Sequence, residues 1–415
     1  MDAPVFKGIF TQQAAIPEEG ITAALAVLRS GRIHRYNTLG DEPSETALLE
    51  KDYAEWQGAE FCLACASGGQ AMQIALRAAG VSPGDTVLTN AFTLAPVPGA
   101  IAAVGGQSVL VEITEDLVID LADLERKQAQ SGARYLLLSH MRGHLADMDR
   151  LTDMAARLGL IVIEDCAHTM GATWAGTRSG NFGLAGCFST QTYKHINSGE
   201  GGLLTSNDPD FMARAIILSG SYMLYDRHGA APAEQAFEAP RLDMPNMSAR
   251  MDNLRAAILR PQLASLESSI LAWNLRYDAV ARHLAGCTAL VLPTRPPQGR
   301  FVGSSIQFRI PQTDGPRAEH LLERWKCRGV EVKWFGRPTA TGFTSTHHDW
   351  GYLDRQDLPR TDRILSGLFD MRLPLSFSVE DCDVIGRILV EEAVWTESAR
   401  SSPTRPSAPA GPGPE

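Results

Sequence analysis

The stretch "EFCLACASGGQAMQIALRAAG", residues 60–80, contains the fold in miniature. A short apolar run ends at Ala66, three small residues follow, and apolar positions then recur at helical spacing. The couplet returns down the chain: "DTVLTN" before "LAPVPGAIAAVGG", then "QSVLVEI", "ARYLLLSH", "DRLTDMAARLGL" and "LIVIEDCA". Short apolar runs alternating with helical stretches signal a parallel sheet covered on both faces. An α/β fold is expected, its large unit a mostly parallel sheet between helices. Ligands in such sheets bind beyond the carboxyl ends of the strands. Three polar clusters fall at such ends: "SGG" at 67–69, "EDCAH" at 164–168, and the loop after Phe188.

From about Pro261 the texture changes. "PQLASLESSILAWNLRYDAVARHL" has the spacing of one long helix, followed by "SSIQFRI", a helix around "RAEHLLERWKCRG", "VEVKWF" and a last helix in "VEDCDVIGRILVEEA". We expect a large cofactor-binding unit with the N-terminal segment over 1–260. A smaller α+β unit with a two- or three-stranded sheet should span 261–396. The tail 397–415, "ESARSSPTRPSAPAGPGPE", is nearly free of large apolar groups and reads as disordered.

At 415 residues, 44% of them hydrophobic and 21% charged, the chain can bury a large core. A net charge of −10 argues against general binding to nucleic acid, which needs clustered Lys and Arg. No apolar run approaches the roughly 20 residues of a membrane span, and "MDAPVFKGIF" lacks a signal-peptide core, so a cytoplasmic location is expected. Seven cysteines make no disulfide framework. Cys62 and Cys65 form a Cys-x-x-Cys pair, but they lie in an apolar strand rather than at a helix N-terminus and read as buried structural residues. His140 and His144 straddle a glycine at a strand end and offer no convincing metal set, so no metal is expected.

Lys194, in "CFSTQTYKHINSGEGG" (187–202), is the only lysine between Lys127 and Lys326. It sits among hydroxyl, amide and glycine residues, as an amine poised to form a Schiff base would. Asp165 ends a buried run, and Gly68 and Gly69 open a helix whose N–H groups and dipole favour an anion. Alone, Asp165 could be a turn cap and the glycines a helix entry. Together the three clusters meet the demands of pyridoxal phosphate: an amine for its aldehyde, an anion nest for its phosphate and a carboxylate for its ring nitrogen.

The chain resembles the DegT/StrS family of pyridoxal-phosphate sugar aminotransferases, with the fold type I architecture of aspartate aminotransferase. The resemblance runs from about Ile16 to Ala393. "SGGQAM" stands where the family has Ser-Gly-Thr-Ala-Ala-Leu. "HLADMDRLTDMAARLGLIVIEDCAHTMGA" follows the family closely, "CFSTQTYKHINSGEGG" matches its lysine segment, and "ARMDNLRAAILRPQL" its Arg-Met motif. The resemblance implies that Lys194 carries the cofactor as an imine and moves the substrate proton. It also implies that Asp165 pairs with the ring nitrogen, His168 lies by the ring, and Ser189 with the N–H groups of Gly68 and Gly69 holds the phosphate. An amino acid, glutamate or glutamine, would donate to a keto-sugar or related carbonyl compound, in a homodimer whose sites are shared.

Some positions depart from the family. Its phosphate-loop threonine is Gly69 here, and the ring-stacking aromatic is expected at Phe92, with Leu94 the aliphatic alternative. The asparagine that reaches the neighbouring subunit's phosphate appears as Ser248, with Asn246 two residues earlier. "KWFGRPTATGFTSTHHDWGYL" does not reproduce the family's substrate-side pattern. Two other readings keep the fold: elimination on a sugar, where relatives carry His in place of the lysine, and a non-catalytic regulatory protein.

Overall fold

The computed structural model describes residues 4–401, so 402–415 of the expected tail lie outside the described residues. Seven strands make the main sheet: β1 (Phe61–Cys65), β2 (Thr86–Asn90), β3 (Gln107–Val111), β4 (Tyr135–Ser139), β5 (Ile161–Asp165), β6 (Ala185–Ser189) and β7 (Gly202–Ser206). Their order is β1-β7-β6-β5-β4-β2-β3. The pairs β2–β3, β2–β4, β4–β5 and β5–β6 are parallel, while β7 runs antiparallel to both β6 and β1.

The apolar runs explain the layering. In β4 all five residues of "YLLLS" are buried: Leu136 and Leu138 join one core cluster, Tyr135 and Leu137 the cluster on the opposite face. A strand buried on both sides has no use for polar alternation. Cys62 and Cys65 likewise belong to opposite faces of β1, and burial pushes both thiols up, so they stand as packing residues.

The C-terminal part carries its own sheet of three strands, β8 (Ser305–Arg309), β9 (Lys333–Trp334) and β10 (Leu368–Arg372), in the order β8-β10-β9. Strand β10 has no counterpart in the sequence reading, because Asp370 and Arg372 interrupt its apolar pattern. The expected long helix is two, Asn253–Ala264 and Leu266–Ala285, broken at Ser265; Pro261 inside the first removes a helical donor. The final helix, Val379–Ser401, runs past the expected start of the tail at 397.

The N-terminal segment packs on the C-terminal part. Phe6 and Phe10 meet Phe377 edge to face at centroid distances of 4.8 and 4.9 Å, and the Phe6 N–H donates to the Arg328 carbonyl. Further along, buried Glu50 joins Arg35, His228 and the N–H of Ala64. Burial alone would raise its pKa, but Arg35 and His228 outweigh that and hold it at about 2.

Candidate active site

Register brings the three polar clusters to one edge. Ser139 lies opposite Asp165 across β4–β5, Asp165 opposite Cys187 across β5–β6, and both Ser189 and Cys65 opposite Gly202. The carboxyl ends of β1, β4, β5 and β6 therefore form one rim.

Lys194 is carried by the loop that joins β6 to β7. Thr190 and Ser198 close the base of this loop through their hydroxyls at 2.8 Å, and the Thr190 N–H donates to the Gly201 carbonyl. Gln262 clamps Asn197 from outside, accepting from its N–H and donating to its carbonyl. At the tip, Lys194 Nζ lies 2.7 Å from His168 Nε2. His168 Nδ1 accepts the Arg142 N–H at 3.1 Å. A neutral imidazole that accepts at Nδ1 carries its proton on Nε2, so His168 donates and the lysine amine accepts. Charges agree: burial first, then Lys194 and Arg142, keep His168 well below its usual value. Burial and Arg142 lower Lys194 to about 7, against the pull of Asp165.

Asp165 is held by two donors, the Ser139 hydroxyl on Oδ2 at 2.8 Å and the Ala167 N–H on Oδ1 at 3.1 Å. Behind Ser139, Thr93 donates to its hydroxyl, and Asn90 accepts its N–H while donating to its carbonyl. Sequence reasoning missed Asn90, Thr93 and Ser139; the only signal was a polar residue closing each of two apolar runs. It also missed Arg142, between the two histidines that drew attention, and Arg372. Both arginines line one cavity with His168, Tyr193, Lys194 and Ser304.

The helix Gly68–Ala78 starts against Ser189. A Cβ on Gly68 would come 2.9 Å from the Ser189 Cβ, so only glycine fits, whereas a Cβ on Gly69 would meet nothing nearer than Ser67 Oγ at 3.7 Å. The Ser67 hydroxyl caps Gln70, leaving the N–H groups of Gly68 and Gly69 outside that bond. This open helix start beside a hydroxyl suits a phosphate. With Asp165 and Lys194 on the same rim, the residues present fit pyridoxal phosphate.

The remaining expected residues lie as follows. Phe92 is buried edge-on to Phe335, ring centroids 5.2 Å apart, and Leu94 packs half-buried on the same cluster. Asn246 and Ser248 are exposed, and the Asn246 side-chain Oδ1 accepts from both the N–H and the hydroxyl of Ser248. His140 meets Glu164 at 2.9 Å, His144 meets Gln307 at 2.9 Å, and Glu164 also accepts three N–H groups from Gly180, Phe182 and Gly183. Cys166 lies beside the first pair, yet these partners already occupy Glu164 in tying down a loop.

Fold and rim define a transferase of the pyridoxal-phosphate type. The chain belongs to the DegT/DnrJ/EryC1/StrS aminotransferase family, which it matches over residues 15–389. It is 33% identical over 318 residues to dTDP-3-amino-3,4,6-trideoxy-alpha-D-glucose transaminase of Streptomyces venezuelae, covering 75% of this chain and 76% of that protein. It is 33% identical over 245 residues to the pleiotropic regulatory protein of Geobacillus stearothermophilus, covering 58% of this chain and 60% of that one. The match thus spans less than two thirds of that relative's length. Among solved structures, S. venezuelae DesV in complex with a ketimine intermediate superposes with a TM-score of 0.75 at 26% identity, over 90% of this chain and 94% of DesV.

Proposed function

We propose that the protein is a pyridoxal-phosphate-dependent aminotransferase that moves an amino group from an amino acid, glutamate or glutamine, to a keto-sugar or related small carbonyl compound. The observation that carries this is Lys194 itself, a half-buried amine accepting a hydrogen bond from neutral His168 on the rim that bears Asp165. When bound, the cofactor supplies an aldehyde for amine exchange and a ring that draws electrons from the substrate's α-carbon. Gly68, Gly69 and Ser189 hold its phosphate. Asp165, fixed by Ser139 and Ala167, keeps the ring nitrogen protonated. Lys194 takes the proton from the α-carbon and returns it during exchange, and His168 keeps that amine aimed and free of its own proton. Phe92, or Leu94 in its stead, is assigned to cover the ring.

Elimination is disfavoured because His195, the neighbouring imidazole, turns to Ser304 at 3.1 Å and to Trp273. The regulatory reading suggested by one relative's name leaves Lys194, Asp165 and Ser139 without a task. The remaining proposals are a cytoplasmic location and a homodimer in which Asn246 or Ser248 enters the partner's phosphate site. No helix among the described residues is long and apolar enough to cross a membrane.

The test is to load the protein with pyridoxal phosphate, add L-glutamate and then L-glutamine, and follow conversion of imine to amine absorption. Borohydride should fix the cofactor on Lys194. An adduct on another lysine, or none, defeats the site assignment. Sedimentation across dilution, with cofactor content measured alongside, tests the shared site: a monomer that keeps full occupancy removes it.

A further inference from the structure

The mouth of the Lys194 cavity holds more positive charge than the chain neutralises. Arg142 is buried, its backbone in the left-handed region at φ 56°. Its Nη2 pairs with Asp370 Oδ2 at 2.7 Å, while its buried Nε finds no hydrogen-bond partner. Asp370 is fully buried, and its other oxygen accepts from Gln307 at 2.8 Å. Lys333 sits directly across from Asp370 in the β9–β10 register, and Arg372 follows two residues along β10. The Arg372 guanidinium lies 3.6 Å from the centre of the Tyr193 ring, next to Lys194. Three cations thus gather about Asp370, with Glu331 a second acid near Lys333, and the cations push on one another: burial lowers Lys333 to about 8 against the pull of Asp370, with Arg142 and Arg372 adding to the shift. A buried guanidinium donor left without a bond is costly, and the guanidinium fork is shaped for the two oxygens of a carboxylate.

We propose that Arg142 and Arg372 form a carboxylate subsite at the mouth of the Lys194 cavity, filled by the carboxylate of the amino donor or of an acidic carbonyl acceptor. The assignment rests on the aminotransferase reading above. A carboxylate held there would complete the hydrogen bond Arg142 leaves open and point the adjoining carbon at the lysine. The two arginines would then decide which compounds are aligned for proton transfer.

The full chain loaded with pyridoxal phosphate is offered L-glutamate and L-glutamic acid α-amide, which differ only in the carboxylate. Its amine form is offered a keto-uronic acid and the corresponding neutral keto-hexose. Loss of the carboxylate should lower kcat/KM about 10- to 100-fold, mostly through KM, the usual worth of hydrogen bonds to a charged group. Preference within the first pair assigns the subsite to the donor, and preference within the second assigns it to the acceptor. Arg372→Met should erase the preference and Arg372→Lys should keep part of it. Calorimetric binding of glutarate, which cannot react, should weaken by a similar factor in Arg372→Met. Equal handling of both pairs by the unaltered enzyme overturns the subsite while leaving transamination in place. If no amine compound reacts, the aminotransferase reading fails and glutarate decides alone. Weaker binding in Arg372→Met then upholds the subsite, and unchanged or absent binding overturns it.

Discussion

Two walls of the molecule meet around Lys194, and they are built differently. On the large-sheet side, strand register sets the positions: Ser139, Asp165 and Ser189 end neighbouring strands, and the helix at Gly68 starts against Ser189. On the small-sheet side, charged side chains from distant segments do the work: Arg142 from the β4–β5 connection, Lys333 from β9, Asp370 and Arg372 from β10. A wall fixed by backbone pairing keeps its geometry when one side chain changes. A wall fixed by charge changes its electrostatics with every substitution. The first suits the constant part of a reaction, the second the variable part.

Lys194→Ala should separate the walls most sharply. Turnover should fall by at least about 10⁴-fold, while the glycine and serine nest still holds cofactor that dialysis removes. Steady-state rates with cofactor content measure both, and a variant that cannot bind cofactor at all would mean the rim depends on the lysine. Asp165→Ala comes next, with proton abstraction slowed about 10²- to 10³-fold and cofactor capture affected less. Equal losses in single-turnover rate and cofactor affinity would return Asp165 to the role of turn cap.

The lowered lysine also predicts a pH effect on the cofactor-free protein. Lys194 titrates near 7 when folded and near its ordinary 10.5 when unfolded, so between these values the unfolded chain binds the extra proton. Stability therefore rises with pH across that window relative to Lys194→Met, by up to about 1.4 kcal/mol per pH unit. Parallel urea midpoints for the two proteins from pH 7 to 9 would show instead that the amine is not desolvated. Smallest is His168→Gln, expected to cost only a few-fold because an amide can still accept the Arg142 N–H. His168→Ala should cost about tenfold. If the two variants have the same rate, His168 is a packing residue.

How much of this was legible follows the same division. Gly68, Asp165, Ser189 and Lys194 each lie in a local pattern, an apolar run or a glycine turn, and the alternation of runs and helices announced the sheet. Ser139 was visible only as the end of such a run, since its bond to Asp165 depends on strands pairing side by side. Arg142 meets Asp370 across a separation no local pattern spans. Asp370 and Arg372, two charges in five residues, hid β10 as a strand. Ser265 broke a helix that periodicity alone would have continued.

The aromatic contact between the chain's beginning and its far end has a consequence for synthesis. Phe6 and Phe10 leave the ribosome well before Phe377, which they flank and which follows about 370 residues later, or roughly 20 to 70 s at usual elongation rates. Until then two bare phenyl rings wait without a berth, a ready target for a chaperone and a hazard on crowded polysomes.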